Sequence, residues 1–307
     1  MATAILDHEI RNADGPAAGA ADDASPALAA ARFHPVPIDP SCPHCRSTGT
    51  AGDLAVDTED WSFADAAYCI SLEERDDRMQ AAAREFHRTG LCRRVLFHRP
   101  TRHPTRVIEG IWEAHRAVAR HALDRGAERA LVFEDDVRFT RKITSQRLAR
   151  VSAAIDRLPD DWTIFFLGHW PLRARFHTAD TLATASACAH AYLASRRLLH
   201  WLETHRFADR AGRIDKRAGA GIDAAYARLG GCYAYFPMLA VQAVLGSDHM
   251  AEKKRTRPIK KLKHLVTRTS LGEVLLSRLM RPNEFIIAGI GAVAGAAERL
   301  GLRRTQS

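Results

Sequence analysis

The chain has 307 residues, a formal net charge of +9 and a hydrophobic fraction of 46%, which suits a soluble globular protein able to bury a sizeable core and excludes a wholly disordered one. The positive charge directs attention to acidic partners: nucleic acid, an anionic membrane surface or phosphorylated substrates. Six cysteines are spread along the chain, and only Cys42 and Cys45, in "CPHC", form a close pair.

Residues 1–60 are rich in Ala, Asp, Gly and Pro and show little periodicity, so they are expected to be disordered or loosely packed. The CPHC pair lies in this segment. A redox pair would open a helix after a strand, and a zinc site would need more ligands than the nearby His44 supplies. Neither role is expected, and the cysteines predict a reduced, cytoplasmic protein. The acidic N-terminus lacks the long apolar core of a secretory signal.

Order is expected to begin at residues 66–72, "AAYCISL", which read as a first strand, with a second at "RVLFH". The next segment carries Ile108, Ile111, Trp112, Val118 and Leu123 at helical spacing, and Gly126 suits its C-terminal cap. A buried strand, "ALVF", then runs directly into Glu134, Asp135 and Asp136. A helix over 146–158 leads to the apolar strand "WTIFFLG", expected to stop at Gly168. "CAHAYLAS" (strand), "RRLLHWLETH" and "GIDAAYARL" (helices) and "CYAYF" (strand) complete the pattern. Strands alternating with helices predict an α/β domain over residues 61–250, with a largely parallel central sheet flanked by helices. Ligands of such sheets bind beyond the carboxyl ends of the strands, where the three carboxylates and Gly168 would lie.

Residues 251–307 differ. Lys253, Lys254, Arg255, Arg257, Lys260, Lys261, Lys263 and Arg268 interleave with Ile259, Leu262, Leu265 and Val266, followed by "FIIAGIGAVAGAA". That apolar run is shorter than the roughly 20 residues of a bilayer span. The segment reads either as a solvated face with a docking helix or as a basic amphipathic element on an anionic membrane surface. It lacks interleaved aromatics, so no nucleic-acid partner is expected.

Three adjacent carboxylates repel one another. Arg129, Arg138 and Arg141 could neutralise them at a solvated strand end. Alternatively, Glu134 and Asp136, which share a face in extended geometry, hold a hard divalent ion, Mg²⁺ or Mn²⁺, while Asp135 points the other way.

The ordered motifs resemble glycosyltransferase family 25, the lipopolysaccharide-biosynthesis and collagen-type galactosyltransferases. "AYCISLEERDDRM" is similar to the family's opening strand, with Ser71 at the usual Asn and with Arg75 and Arg78 in place. "EGIWEAHRAVARHALDRG" is similar to its Gly-Cys-x-x-Ser-His segment, with Gly110 and His115 matching and with Ile111 and Ala114 at the Cys and Ser. "ALVFEDDV" matches the acidic motif. "DWTIFFLG", "AHAYLASRRLL", "GIDAAYA" and "FPMLAVQAVLGSD" match later blocks, so the similarity covers about residues 66–248. The resemblance implies a GT-A-like nucleotide-sugar-binding domain, a UDP-sugar donor bound with Mn²⁺ or Mg²⁺, and inverting transfer of a hexose, commonly galactose. The acceptor would be a glycan or glycolipid such as lipopolysaccharide core. It further implies that Asp136 and Glu134 serve the metal, while Ser71, Arg75, Arg78, Glu134 and Asp135 serve the nucleotide sugar. Asp223 would be the general base, with Asp248 behind it, and His115 a second catalytic group. Trp170 and His169 are candidates for sugar contacts or core packing. A lipid-linked acceptor would accord with peripheral attachment to the inner face of the cytoplasmic membrane. Two other readings stay open: a metal-dependent phosphoesterase, and a catalytically degenerate nucleotide-sugar-binding scaffold.

Overall fold

The computed structural model describes residues 31–46, 56–141, 143–208, 213–215 and 221–243. The basic segment from 251 onward, Asp248 and residues 1–30 lie outside the described residues. Among the described residues no helix is long and apolar enough to cross a membrane.

The strands are β1 (Phe33–Pro35), β2 (Ala66–Ile70), β3 (Val95–His98), β4 (Arg129–Glu134), β5 (Val137–Phe139), β6 (Ile164–Thr178), β7 (Thr181–Ser195), β8 (Cys232–Tyr235) and β9 (Ala240–Gln242). The helices are α1 (Pro43–Arg46), α2 (Asp76–Arg88), α3 (Val107–Asp124), α4 (Ser145–Ile155), α5 (Arg196–Thr204) and α6 (Ile222–Tyr226). Seven strands form one sheet in the order β1-β3-β2-β4-β7-β6-β8, and β5 pairs with β9 in a second, two-stranded sheet.

The expected α/β class is observed, but the sheet is mixed rather than largely parallel. Only β3, β2 and β4 form a continuous parallel set, and β6 pairs parallel with β8. β7 runs antiparallel to β4, β6 and β8, and β1 antiparallel to β3. The antiparallel half arises because β6 and β7 are consecutive arms of one long hairpin with no helix between them. A parallel neighbour would have required a crossover.

Both faces of the central strands are covered. Leu131 and Phe133 of β4 join a core with Phe86 of α2 and with Leu148 and Val151 of α4, whereas Ala130 and Val132 join Trp112 and Val118 of α3 and Leu198 of α5. Alternate residues therefore enter opposite layers, and the strands read as continuous apolar runs for that reason. Helix α3 ends as its sequence predicts, with Gly126 in the left-handed region at φ 72° just past the last turn.

Part of the segment expected to be loose is packed. β1 pairs along β3, and Val36, Cys42, Val56 and Trp61 are buried in the first core layer. Trp61 Nε1 donates to Thr89 O at 2.8 Å, tying this segment to the end of α2. Isolated residues such as Val36, Cys42 and Val56 carry no periodic signal, which explains the missed packing.

Gly168 does not stop its strand; β6 continues to Thr178 with register shifts on both sides of the glycine. Its role is close approach. A Cβ at Gly168 would lie 2.5 Å from His190 Nε2 and 2.6 Å from the Ala240 carbonyl oxygen. Gly168→Ala is therefore expected to force β9 and His190 away and to lower stability by about 1–3 kcal/mol, measured as a shift of the urea midpoint at unchanged slope.

Candidate functional site

The parallel register of β2 and β4 builds the site. Ile70 lies beside Glu134, so the chain leaving β2 passes the chain leaving β4 at the carboxyl ends of both strands. Asp135 N donates to Ile70 O at 3.1 Å, and the buried Ser71 donates through Oγ to Asp135 Oδ2 at 3.0 Å. One turn into α2, Arg78 Nη1 meets Asp135 Oδ1 at 2.9 Å while its Nη2 lies 3.8 Å from Asp136 Oδ2. From the far side, the pairing of β5 with β9 sets Val137 opposite Gln242. Gln242 Nε2 then donates to Asp136 Oδ2 at 3.0 Å, and Ala243 N to the Asp136 carbonyl at 2.6 Å.

The strict alternation expected for the three carboxylates fails at the strand end. β4 stops at Glu134 and the chain turns at Asp135 and Asp136, so both aspartates reach the same guanidinium. Glu134 keeps the parity of Ala130 and Val132 and is coupled electrostatically to Asp223. Burial first, then the charges of Asp136, Asp223 and Asp135, push Glu134 well above the usual carboxylate range. Burial pushes Asp136 up to about 6 despite the opposing pull of Arg78. Asp136 Oδ1 is buried with no hydrogen-bond partner. A set of oxygen donors, one of them orphaned, on groups that burial and mutual repulsion hold back from ionising fits a hard divalent cation. Asp136 and Glu134 are the residues that would hold it.

Behind Glu134 runs a buried polar chain. His115 Nδ1 lies 2.8 Å from Tyr192 Oη, which lies 2.9 Å from Tyr226 Oη. Burial holds His115 down to about 3, so its imidazole is neutral. His115 is only 2% exposed, and its ring nitrogen meets Tyr192 within the core. Asp223 enters from the first turn of α6, which follows Gly221 at φ 93°, and its Oδ1 accepts from Ala189 N at 2.9 Å. The sequence signals for Asp223 and His115 thus lead to the same neighbourhood as the acidic motif, since both tyrosines feel the charges of Glu134 and Asp223.

Arg75 takes a carboxylate of the adjoining helix. It precedes α2 and closes a two-bond ion pair on Asp77, both contacts 2.8 Å. His169 is a core residue, fully buried with Nδ1 2.7 Å from Ser186 Oγ. Sequence reasoning missed Tyr192, Tyr226 and Gln242. The first two lie within apolar runs that read as core, and Gln242 was visible only as one polar residue in "MLAVQAV".

A cleft of about 990 Å³ opens beyond the carboxyl ends of β2 and β3, walled by Glu73, Asp76, His98, Arg99, Arg102 and Arg206 among others. The three carboxylates are not part of its wall, but Asp76 and Met79 flank Arg78 on the same helix and Ala114 precedes His115. The cleft and the cluster therefore share α2 and α3.

Removing Arg78 takes the guanidinium away from two buried carboxylates, so Arg78→Ala is expected to cost about 3–5 kcal/mol, whereas Arg196→Ala, at the exposed pair with Glu128, should stay within about 0.5 kcal/mol. Equal effects on the denaturant midpoint would contradict this assignment. A carboxyl raised from 3.8 to about 6 binds more protons folded than unfolded. The stability from Asp136 is therefore greatest below its unfolded value and is lost as pH rises through about 6. Buried neutral histidines such as His115 and His190 act oppositely, losing stability as pH falls, so the informative quantity is a difference between variants. In EDTA, Asp136→Asn should match the parent near pH 4 and exceed it by about 1–3 kcal/mol near pH 7.5, read from paired urea curves. No protein-family model matches the chain, and no curated protein sequence matches it significantly.

Proposed function

We propose that the protein is a metal-dependent glycosyltransferase that moves a hexose from a UDP-sugar to a saccharide acceptor. The observation that carries this reading is the orphaned, buried Asp136 carboxylate oxygen beside the raised Glu134, at the carboxyl end of a strand whose sequence resembles the acidic motif of glycosyltransferase family 25. Mn²⁺ or Mg²⁺, held by Asp136 and Glu134, would supply positive charge to offset the negative charge developing on a leaving diphosphate.

The chain's own residues have separate tasks in this reading. Arg78 and Ser71 fix Asp135, so the acidic turn is rigid before substrate arrives. Gln242 holds Asp136 by one oxygen, and the other, without a hydrogen-bond partner, would be available to a metal. The cleft arginines Arg99, Arg102 and Arg206 suit the phosphates and ribose of a nucleotide. Asp223 is the proposed base for the acceptor hydroxyl. It is oriented by the Ala189 amide and stands in the first turn of α6, near enough to Glu134 for the two charges to interact. His115, through Tyr192 and Tyr226, keeps the floor beneath these carboxylates in one arrangement. Galactose as the transferred sugar, a lipopolysaccharide-type acceptor and attachment to the cytoplasmic membrane through residues 251–307 belong to the same proposal.

Calorimetric titration of UDP into the purified protein, with Mn²⁺ and then with EDTA, tests it. Binding should require Mn²⁺, prefer uridine over other nucleoside diphosphates, and weaken at least about tenfold, or 1.4 kcal/mol, in Asp136→Ala. Absence of UDP binding by well-folded protein in both conditions overturns the reading. Binding without uridine preference would favour a phosphoesterase.

A further inference from the structure

A second cluster of ligand-type side chains lies apart from the carboxylates, in the core layer between α2 and the N-terminal segment. Cys42 and Cys45 flank and occupy the single turn α1, His87 sits in the last turn of α2, and Cys92 lies in the short 3-10 helix that follows. Their ligand atoms all lie within 4.8 Å of one another. Cys42 Sγ is 3.9 Å and Cys45 Sγ 3.7 Å from Cys92 Sγ, and Cys45 Sγ is 3.5 Å from His87 Nδ1. Tetrahedral Zn²⁺, with Zn–S near 2.3 Å and Zn–N near 2.0–2.1 Å, requires S···S separations of roughly 3.75 Å and S···N of roughly 3.55 Å. A disulfide would require about 2.05 Å, and none of these cysteines is so joined.

The sequence carries the corresponding spacing in two halves, C-x₂-C at 42–45 and H-x₄-C at 87–92. The second half was not recognisable as a pair because its histidine belongs to a helix and its cysteine to the next turn. His44, the nearer histidine in sequence, is buried but is not part of the cluster.

The turn that presents His87 and Cys92 is held by contacts that need no metal. Gly90 adopts φ 74°, and a Cβ there would meet the Asp57 backbone at 3.0 Å. Thr58 Oγ1 donates to Gly90 O at 3.0 Å, and Trp61 Nε1 to Thr89 O. Half of the ligand set is therefore preorganised, and the CPHC turn closes onto it.

We infer that Cys42, Cys45, His87 and Cys92 form a structural zinc site that fastens the N-terminal segment, with β1, to the end of α2. Four protein ligands leave no open position, which distinguishes a structural from a catalytic site. Soft thiolates select zinc over the hard cations that suit the carboxylate cluster. Binding of zinc to the folded arrangement stabilises it by linkage. This inference stands independently of the glycosyltransferase reading.

The test is metal and thiol analysis of the full chain purified without chelator. Roughly one zinc per chain is expected, with no disulfide found on thiol titration in denaturant. Cobalt substituted for zinc should give the thiolate charge-transfer and tetrahedral ligand-field bands of a Cys₃His centre. Cys45→Ser/Cys92→Ser should lose at least about nine-tenths of the zinc and melt at lower temperature, His87→Cys should retain the metal as a Cys₄ site, and Asp136→Ala should retain it in full. The wild-type measurements decide even if the double variant fails to fold. Metal-free protein with a disulfide among these cysteines, reduced protein that yields no thiolate–cobalt bands, or zinc retained in the folded double variant overturns the inference.

Discussion

Like charges at the end of a buried strand must be answered by groups that the strand itself does not carry. At Glu134, Asp135 and Asp136 the answer comes from two directions, Arg78 and Ser71 from the β2–α2 side and Gln242 from β9, while Asp223 from α6 adds to the charge. Much of the architecture follows from this constraint. The parallel β2–β4 register is needed to bring Ser71 and Arg78 alongside, and the small β5–β9 ladder is needed to return Gln242. Even so, burial raises both Asp136 and Glu134, and the neighbouring carboxylates add to the effect.

An arrangement that is electrostatically unsatisfied costs stability, and folded chains keep such arrangements where they bind or react. Here the cost is borne by two covered sheet faces. Phe133, the residue immediately before the carboxylates, packs on Phe86 and Phe139 at ring-centroid distances of 5.4 and 5.6 Å. The apolar anchor and the acidic turn are thus consecutive in sequence, so the carboxylates are held by a backbone that cannot easily move aside to relieve their repulsion.

The acidic turn was legible because an apolar run ending in three carboxylates is a conflict visible in one dimension. The end of α3 was legible because Gly126 is placed for a left-handed cap. Strand direction was not legible. Residues buried on both faces give the same apolar run whether the neighbour is parallel or antiparallel, so β6 and β7 gave no hint of being one hairpin. Arg75 and Arg78, three residues apart, were equivalent in sequence, yet Arg78 in the first turn of α2 meets Asp135 while Arg75 before the helix pairs with Asp77. The partners of Cys42 and Cys45 were hidden because they lie more than 40 positions away, where α2 ends against the N-terminal segment. Such long-range pairing leaves no trace in local periodicity.

The shortness of β1 has a consequence for association between molecules. Without it, the outer edge of β3 would present unpaired amides and carbonyls to any extended chain, an open template for intermolecular strand addition. β1 covers that edge with three residues, the last of them Pro35, which has no amide hydrogen to donate. Among the described residues the sheet on this side ends in a strand that is short and poor in donors, an edge unfavourable to strand addition from another molecule.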